Sequence, residues 1–130
     1  MTSSEEYAGL PAKKLSTQEV EELLQTEELF ILDVRPVSFS HCNMFLKNTF
    51  HLPLLVLADN LQYIPRDQKI LITDSAAKQA QLAYKFLVKK GFQVIGVLRG
   101  GLEVWCSEGR ESEERVIEKE KIQLIGDDTE

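Results

Sequence analysis

The stretch from Lys69 to Gly101 constrains the fold of this chain more than any other. It reads as a strand, Lys69-Ile70-Leu71-Ile72-Thr73, then a short loop and a helix that ends near Lys90. A second strand from Gln93 to Leu98 and the pair Gly100-Gly101 follow. In such a unit the loop lies at the carboxyl end of the first strand, and the helix amino terminus faces the same place. Backbone N–H groups and the positive end of the helix dipole converge there and form an anion cradle. In this architecture the functional site commonly lies at that point. The residue at the cradle entrance is Asp74, itself a carboxylate.

The flanking sequence supplies further elements. Met1 to Ala12 reads as a flexible lead, and Leu15 starts a short strand. Ser16-Thr17-Gln18-Glu19 matches a capping box, and Val20, Leu23 and Leu24 follow at helical spacing, which predicts a helix from Thr17 to Gln25. Leu29 to Val34 is an apolar run broken only by Asp33, as expected of a buried, central, parallel strand. Arg35-Pro36 ends it, because proline has no ladder donor and biases the residue before it away from helix. Val37 to Thr49 reads as a helical turn and a loop. Phe50 to Leu54 reads as a short strand, Leu54 to Leu61 as a short helix, and Tyr63 to Gln68 as a turn. In the organising unit the helix is predicted over Ala76 to Lys89, with Leu82, Ala83, Phe86 and Leu87 on its buried face and Gly91 just past its end. Leu102 to Cys106 turns into a helix carrying Trp105. Glu111 to Lys121 reads as a solvated helix, followed by the apolar patch Ile122 to Ile125 and an acidic tail. Strands alternating with helices imply an α/β domain whose mainly parallel sheet is covered on both faces.

Composition narrows the function. The chain has 130 residues, enough for one core, and 15 basic residues against 21 acidic ones leave a net charge of −6. With no basic run, neither nucleic acid nor an anionic membrane surface is expected as a partner. No apolar run approaches the ~20 residues that span a bilayer, and the polar start shows no secretory signal. Cys42 and Cys106 need no disulfide, which favours a reducing, cytoplasmic setting. Neither they nor His41 and His51 stand at metal-ligand spacing, so no metal or other cofactor is expected.

Three landmarks, in order, resemble the rhodanese-homology domain. Leu32-Asp33-Val34-Arg35 resembles that family's strand ending in Asp-Val-Arg, and Phe50-His51-Leu52-Pro53-Leu54 resembles its Asn-Ile-Pro-Leu segment. Lys69 to Thr73, Phe86 to Phe92 and Leu98-Arg99-Gly100-Gly101-Leu102-Glu103-Val104-Trp105 resemble its active-site strand, the following helix and its Leu-x-Gly-Gly-x-x-x-Trp ending. The resemblance implies a three-layer rhodanese-like fold over residues 14–109, with a lead at 1–13 and a polar extension or linker at 110–130.

The family's enzymes carry a sulfane sulfur as a persulfide on a cysteine that opens a loop of pattern Cys-x-x-Gly-x-Arg-Ser. Laid on this chain without gaps, the cysteine falls on Asp74, the glycine on Ala77, the arginine on Gln79 and the serine on Ala80. The resemblance thus marks Asp74, Ser75, Ala76, Ala77, Lys78 and Gln79 as a degenerate active-site loop with no catalytic residue. A carboxylate cannot form a persulfide. Ala77 would also bear a steric cost wherever the loop needs a positive φ. Asp74 is expected to cap the helix and fill the cradle, as an N-cap carboxylate does. Asp33 and Arg35 are expected to form a structural salt bridge, and Arg99 to point at the pocket or into solvent. Lys78 is expected to offer a charge to the loop or to pair with Asp74 or Glu103, and His51 to be a satisfied edge histidine.

These features predict a non-catalytic binding or regulatory module, with a protein partner or neighbouring domain and room for a small anion in the cradle. The alternative is a sulfurtransferase using a relocated cysteine, Cys42 or Cys106. A phosphatase on the same fold would need the loop cysteine too, and an aspartyl nucleophile would need a second acid and a metal. A docking domain of the kind that precedes some dual-specificity phosphatases would present a basic surface, and no Lys/Arg cluster stands together in the sequence.

Overall fold

The computed structural model describes residues 11–36 and 43–115. Strand β1 is Lys14–Leu15 and helix α1 is Thr17–Thr26. The capping box forms as the sequence predicts. The Ser16 hydroxyl accepts the Glu19 N–H at 3.0 Å, and the Glu19 carboxylate accepts the Ser16 N–H at 2.8 Å. Strands β2 (Leu29–Asp33), β3 (Met44–Phe45) and β4 (Thr49–His51) follow. Next come helix α2 (Leu54–Leu57), a 3₁₀ segment (Ala58–Tyr63) and strand β5 (Lys69–Thr73). Helix α3 (Lys78–Lys89), strand β6 (Val94–Leu98), helix α4 (Gly101–Ser107) and strand β7 (Glu113–Glu114) complete the order.

Five parallel strands make one sheet in the order β1-β6-β5-β2-β4. Side-chain alternation splits the core in two. Phe30, Leu32, Ile70 and Ile72 join Leu57 of α2 and Ala80, Ala83 and Leu87 of α3 on one face. Ile31 and Leu71 join Val20 of α1 and Leu102 and Trp105 of α4 on the other. The result is the three-layer α/β sandwich expected from alternating strands and helices. Among the described residues no helix is long and apolar enough to cross a membrane.

Several expectations need correction. Leu82 does not face the core but is 59% exposed. The buried stripe of α3 is Ala80, Ala83 and Leu87, and Leu82 lies about half a turn away from Ala80. This helix begins at Lys78 rather than Ala76, because Ala77 is left-handed. The helix expected from Leu54 to Leu61 is a single α turn followed by a 3₁₀ segment kinked at Asn60. Residues 111–115 are extended, not helical, and β7 pairs antiparallel with β3. The rest of the helix predicted to Lys121 lies outside the described residues, as does most of the helical turn expected after Val37; Met44–Phe45 is a strand. At the other end of α3 the sequence reads true. The Gly91 N–H donates to Val88 and the Phe92 N–H to Leu87, both at 3.0 Å, a Schellman closure around Gly91.

Candidate functional site

Strand register assembles the site. Asp33 of β2 pairs with Thr73 of β5 on one side and with His51 of β4 on the other, so three polar residues share one level at the carboxyl ends of adjacent strands. Asp33 is fully buried and so is Arg35. Arg35 donates to Asp33 Oδ1 from its backbone N–H and from Nε, both at 3.0 Å. The Thr73 hydroxyl donates to Asp33 Oδ2 at 2.8 Å, and Arg35 Nη2 donates to the Met44 carbonyl at 2.7 Å. The expected Asp33–Arg35 salt bridge is therefore present, with neighbours that satisfy both ions. His51 stands on the edge strand β4, as expected, and its Nε2 donates to the Arg35 carbonyl at 2.8 Å. Burial pushes its imidazole below the usual histidine range, against the pull of that hydrogen bond.

Phe45 gathers two cations. The Arg35 guanidinium lies 4.6 Å from its ring centroid and that of Arg115 lies 4.7 Å away. Arg115 also donates to the Thr49 carbonyl at 2.8 Å and pairs with Glu113. Neither Phe45 nor Arg115 was singled out from the sequence. Arg115 lies 66 residues from its Thr49 partner, and a hint of the meeting exists only in strand pairing.

The loop after β5 closes on its own first residue. Asp74 is 1% exposed. Its Oδ1 accepts the Ala77 N–H at 2.5 Å and its Oδ2 accepts the Ala80 N–H at 2.8 Å. The carboxylate thus satisfies orphan donors at the start of α3, an N-cap's task performed from four residues before the helix. Ala77 has φ of +74°, the left-handed conformation in which a Cβ costs roughly 1–2 kcal/mol. Helix α4 ties down the other side of the loop. The Leu102 N–H donates to the Asp74 carbonyl at 2.7 Å and the Glu103 N–H to the Ser75 carbonyl at 3.0 Å.

Burial raises the Asp74 carboxyl above the usual aspartate range. The N–H groups of Ala80, Ala77 and Gln79 pull it down, and the charge of Asp33 adds to the rise. The folded state therefore holds this proton more tightly than the unfolded chain. Stability from the group is fullest below the unfolded value, 3.8, and falls as pH rises through the raised folded value. Asp74→Asn does not titrate and lacks this dependence. In urea melts from about pH 3.5 to 7, the stability of the wild type relative to Asp74→Asn should fall with rising pH and then level. A difference that grows with pH would show that the N–H donors outweigh burial.

The other sequence candidates scatter. Ser75 is half-buried, while Ala76 and Lys78 are exposed. Lys78 pairs with neither Asp74 nor Glu103. Arg99 is exposed, and its Nη2 lies 3.5 Å from the Lys14 carbonyl on β1. Gln79 lines a shallow opening of about 430 Å³ with Val34, Pro36, Pro53, Leu54 and Leu55. Cys106 is partly buried against the α1–α4 core, on the sheet face opposite α3. His41 and Cys42 lie outside the described residues.

A family model of the rhodanese-like domain matches residues 16–108. The chain belongs to the rhodanese-like family. Solved structures agree on the fold. A rhodanese-related protein from Thermoplasma volcanium is 22% identical with a TM-score of 0.69, over 82% of this chain and 99% of that one. A rhodanese-like domain protein from Staphylococcus aureus is 21% identical with a TM-score of 0.67, over 80% and 99%. A thiosulfate sulfurtransferase from Pseudomonas aeruginosa is 21% identical with a TM-score of 0.63, over 88% of this chain and 23% of that one. A search of the curated proteins finds no match.

Proposed function

We propose that this rhodanese-like domain is a non-catalytic binding or regulatory module. One observation carries the reading: the loop opens on Asp74, whose buried carboxylate takes up the N–H groups of Ala77 and Ala80. Sulfur transfer of the kind named for the Pseudomonas aeruginosa relative needs a thiolate that attacks a sulfane sulfur and carries it as a persulfide. Asp74 offers two hard oxygens in place of that sulfur. Its charge also occupies the place where an incoming anion would meet the same N–H donors, so a free anion finds the cradle filled. The cysteines fit a reducing, cytoplasmic setting.

The test is thiosulfate-to-cyanide sulfur transfer, read as thiocyanate, for the wild type beside Asp74→Cys. The wild type is expected to be silent. Partial activity in Asp74→Cys would show a cradle that lacks only its nucleophile, and a silent pair would show a loop remodelled beyond that exchange. Wild-type turnover above the blank would overturn the reading and direct attention to Cys42 and Cys106.

A further inference from the structure

Helix α3 is electrostatically unlike the rest of the chain. Residues 78–90 hold Lys78, Lys85, Lys89 and Lys90 and no acid, although the chain has 21 acidic residues and a net charge of −6. At about 100° per residue, positions 78, 82, 85 and 89 fall within an arc of about 60° on one side of the helix. The lysines are scattered in sequence, and the helix gathers them into the basic surface that the linear order does not display. Among the described residues, Lys78, Lys85 and Lys89 have no ion-pair partner. Leu82 sits within their stripe, 59% exposed.

An apolar opening adjoins the amino-terminal end of α3. Gln79, one residue from Lys78, lines it with Pro36, Pro53, Leu54 and Leu55, and Leu55 is 92% exposed. Helix α2, which carries Leu55, packs against α3. Leu55 and Leu82 are two of only four large hydrophobic residues exposed among the described residues. An exposed leucine ringed by unpaired cations, beside an apolar opening, is complementary to a segment with one apolar side chain and flanking carboxylates.

We propose that this surface docks an acidic peptide segment of a partner protein, with one large apolar side chain seated by Leu82, Leu55 and Pro53 and carboxylates against Lys78, Lys85 and Lys89. The inference rests on the binding-module reading and names its surface and partner chemistry. Lys78 to Lys89 spans about 16 Å along the helix, the length of about five extended residues. Outside this helix the chain is net acidic, which disfavours such a segment over most of the remaining surface.

The experiment pans a displayed library of random decapeptides on the full chain, with counter-selection on Lys78→Gln/Lys85→Gln/Lys89→Gln. Enriched peptides are synthesised and titrated by fluorescence anisotropy. The expected peptides carry at least two Asp or Glu around a Leu, Ile or Phe. Their affinity should drop about tenfold in the triple variant and by a similar factor in Leu82→Gln, and should weaken severalfold from low to high salt. Matching thermal melts confirm that the variants fold. Peptides without acids, binding indifferent to both variants, or no enrichment would each overturn the proposal. So would a single-stranded oligonucleotide that binds more tightly than the peptides and ignores Leu82→Gln, which would show a general polyanion surface. Sulfur transfer is measured on the same preparations. A silent wild type with no enriched peptide removes the docking surface and leaves the non-catalytic reading. An active wild type with enriched peptides does the reverse.

Discussion

Arg35→Ala is expected to destabilise the domain by about 3–5 kcal/mol, the cost typical of removing one partner from a buried ion pair. Arg35 and Asp33 are both fully buried, so without the guanidinium the Asp33 carboxylate keeps only the Thr73 hydroxyl and a backbone N–H. The Met44 carbonyl loses its donor at 2.7 Å, and the Phe45 ring loses the Arg35 guanidinium. In a thermal melt the midpoint should fall by roughly 15–30 °C for a domain of this size. Asp33→Asn combined with Arg35→Met removes both charges while keeping much of the volume, and it should recover most of the loss. A single variant within about 1 kcal/mol of the wild type would mean that water reaches the pair.

Gly101→Ala is expected to cost about 2–5 kcal/mol, from a left-handed residue and a backbone overlap together. Gly101 has φ of +68°, and a Cβ there would overlap the Ser75 carbonyl group and lie 2.6 Å from the Ala76 nitrogen. These are backbone atoms of the loop, so relief requires α4 or the loop itself to move. The carbonyls of Asp74 and Ser75 accept N–H groups from the first turn of α4, so that shift also disturbs the Asp74 carboxylate. Gly109→Ala is the control. Its φ of +73° is similar, but a Cβ there meets nothing within 4 Å. It should cost only the conformational part, roughly 1 kcal/mol in urea unfolding. Equal losses at the two glycines would show that the contact with Ser75 is relieved without cost.

Much of this molecule was legible before any coordinates. The box at Ser16 and Glu19 and the closure at Gly91 depend on residues a few positions apart, so the sequence shows them directly. The strand from Lys69 to Thr73 was legible from its apolar run, and the alternation of strands with helices names the fold class. Asp74 stood out because an acid lay where a strand delivers the chain to a helix, and its carboxylate does bind the N–H groups there.

Other features depend on what the chain meets far away. Leu82 fits a helical period as well as its neighbours do, and only the side from which the sheet covers α3 decided that Ala80, Ala83 and Leu87 are buried instead. Residues 111–115 have a helix-forming composition, yet they lie extended beside β3, where Arg115 reaches Thr49 and Phe45. Local sequence by itself therefore determined the caps at Ser16 and Gly91 and the acid at the head of the loop, because those rest on hydrogen bonds within a few residues. Tertiary structure alone decided which face of α3 is wet, how its lysines align and which arginines share Phe45, because those rest on contacts between segments that the order of residues does not bring together.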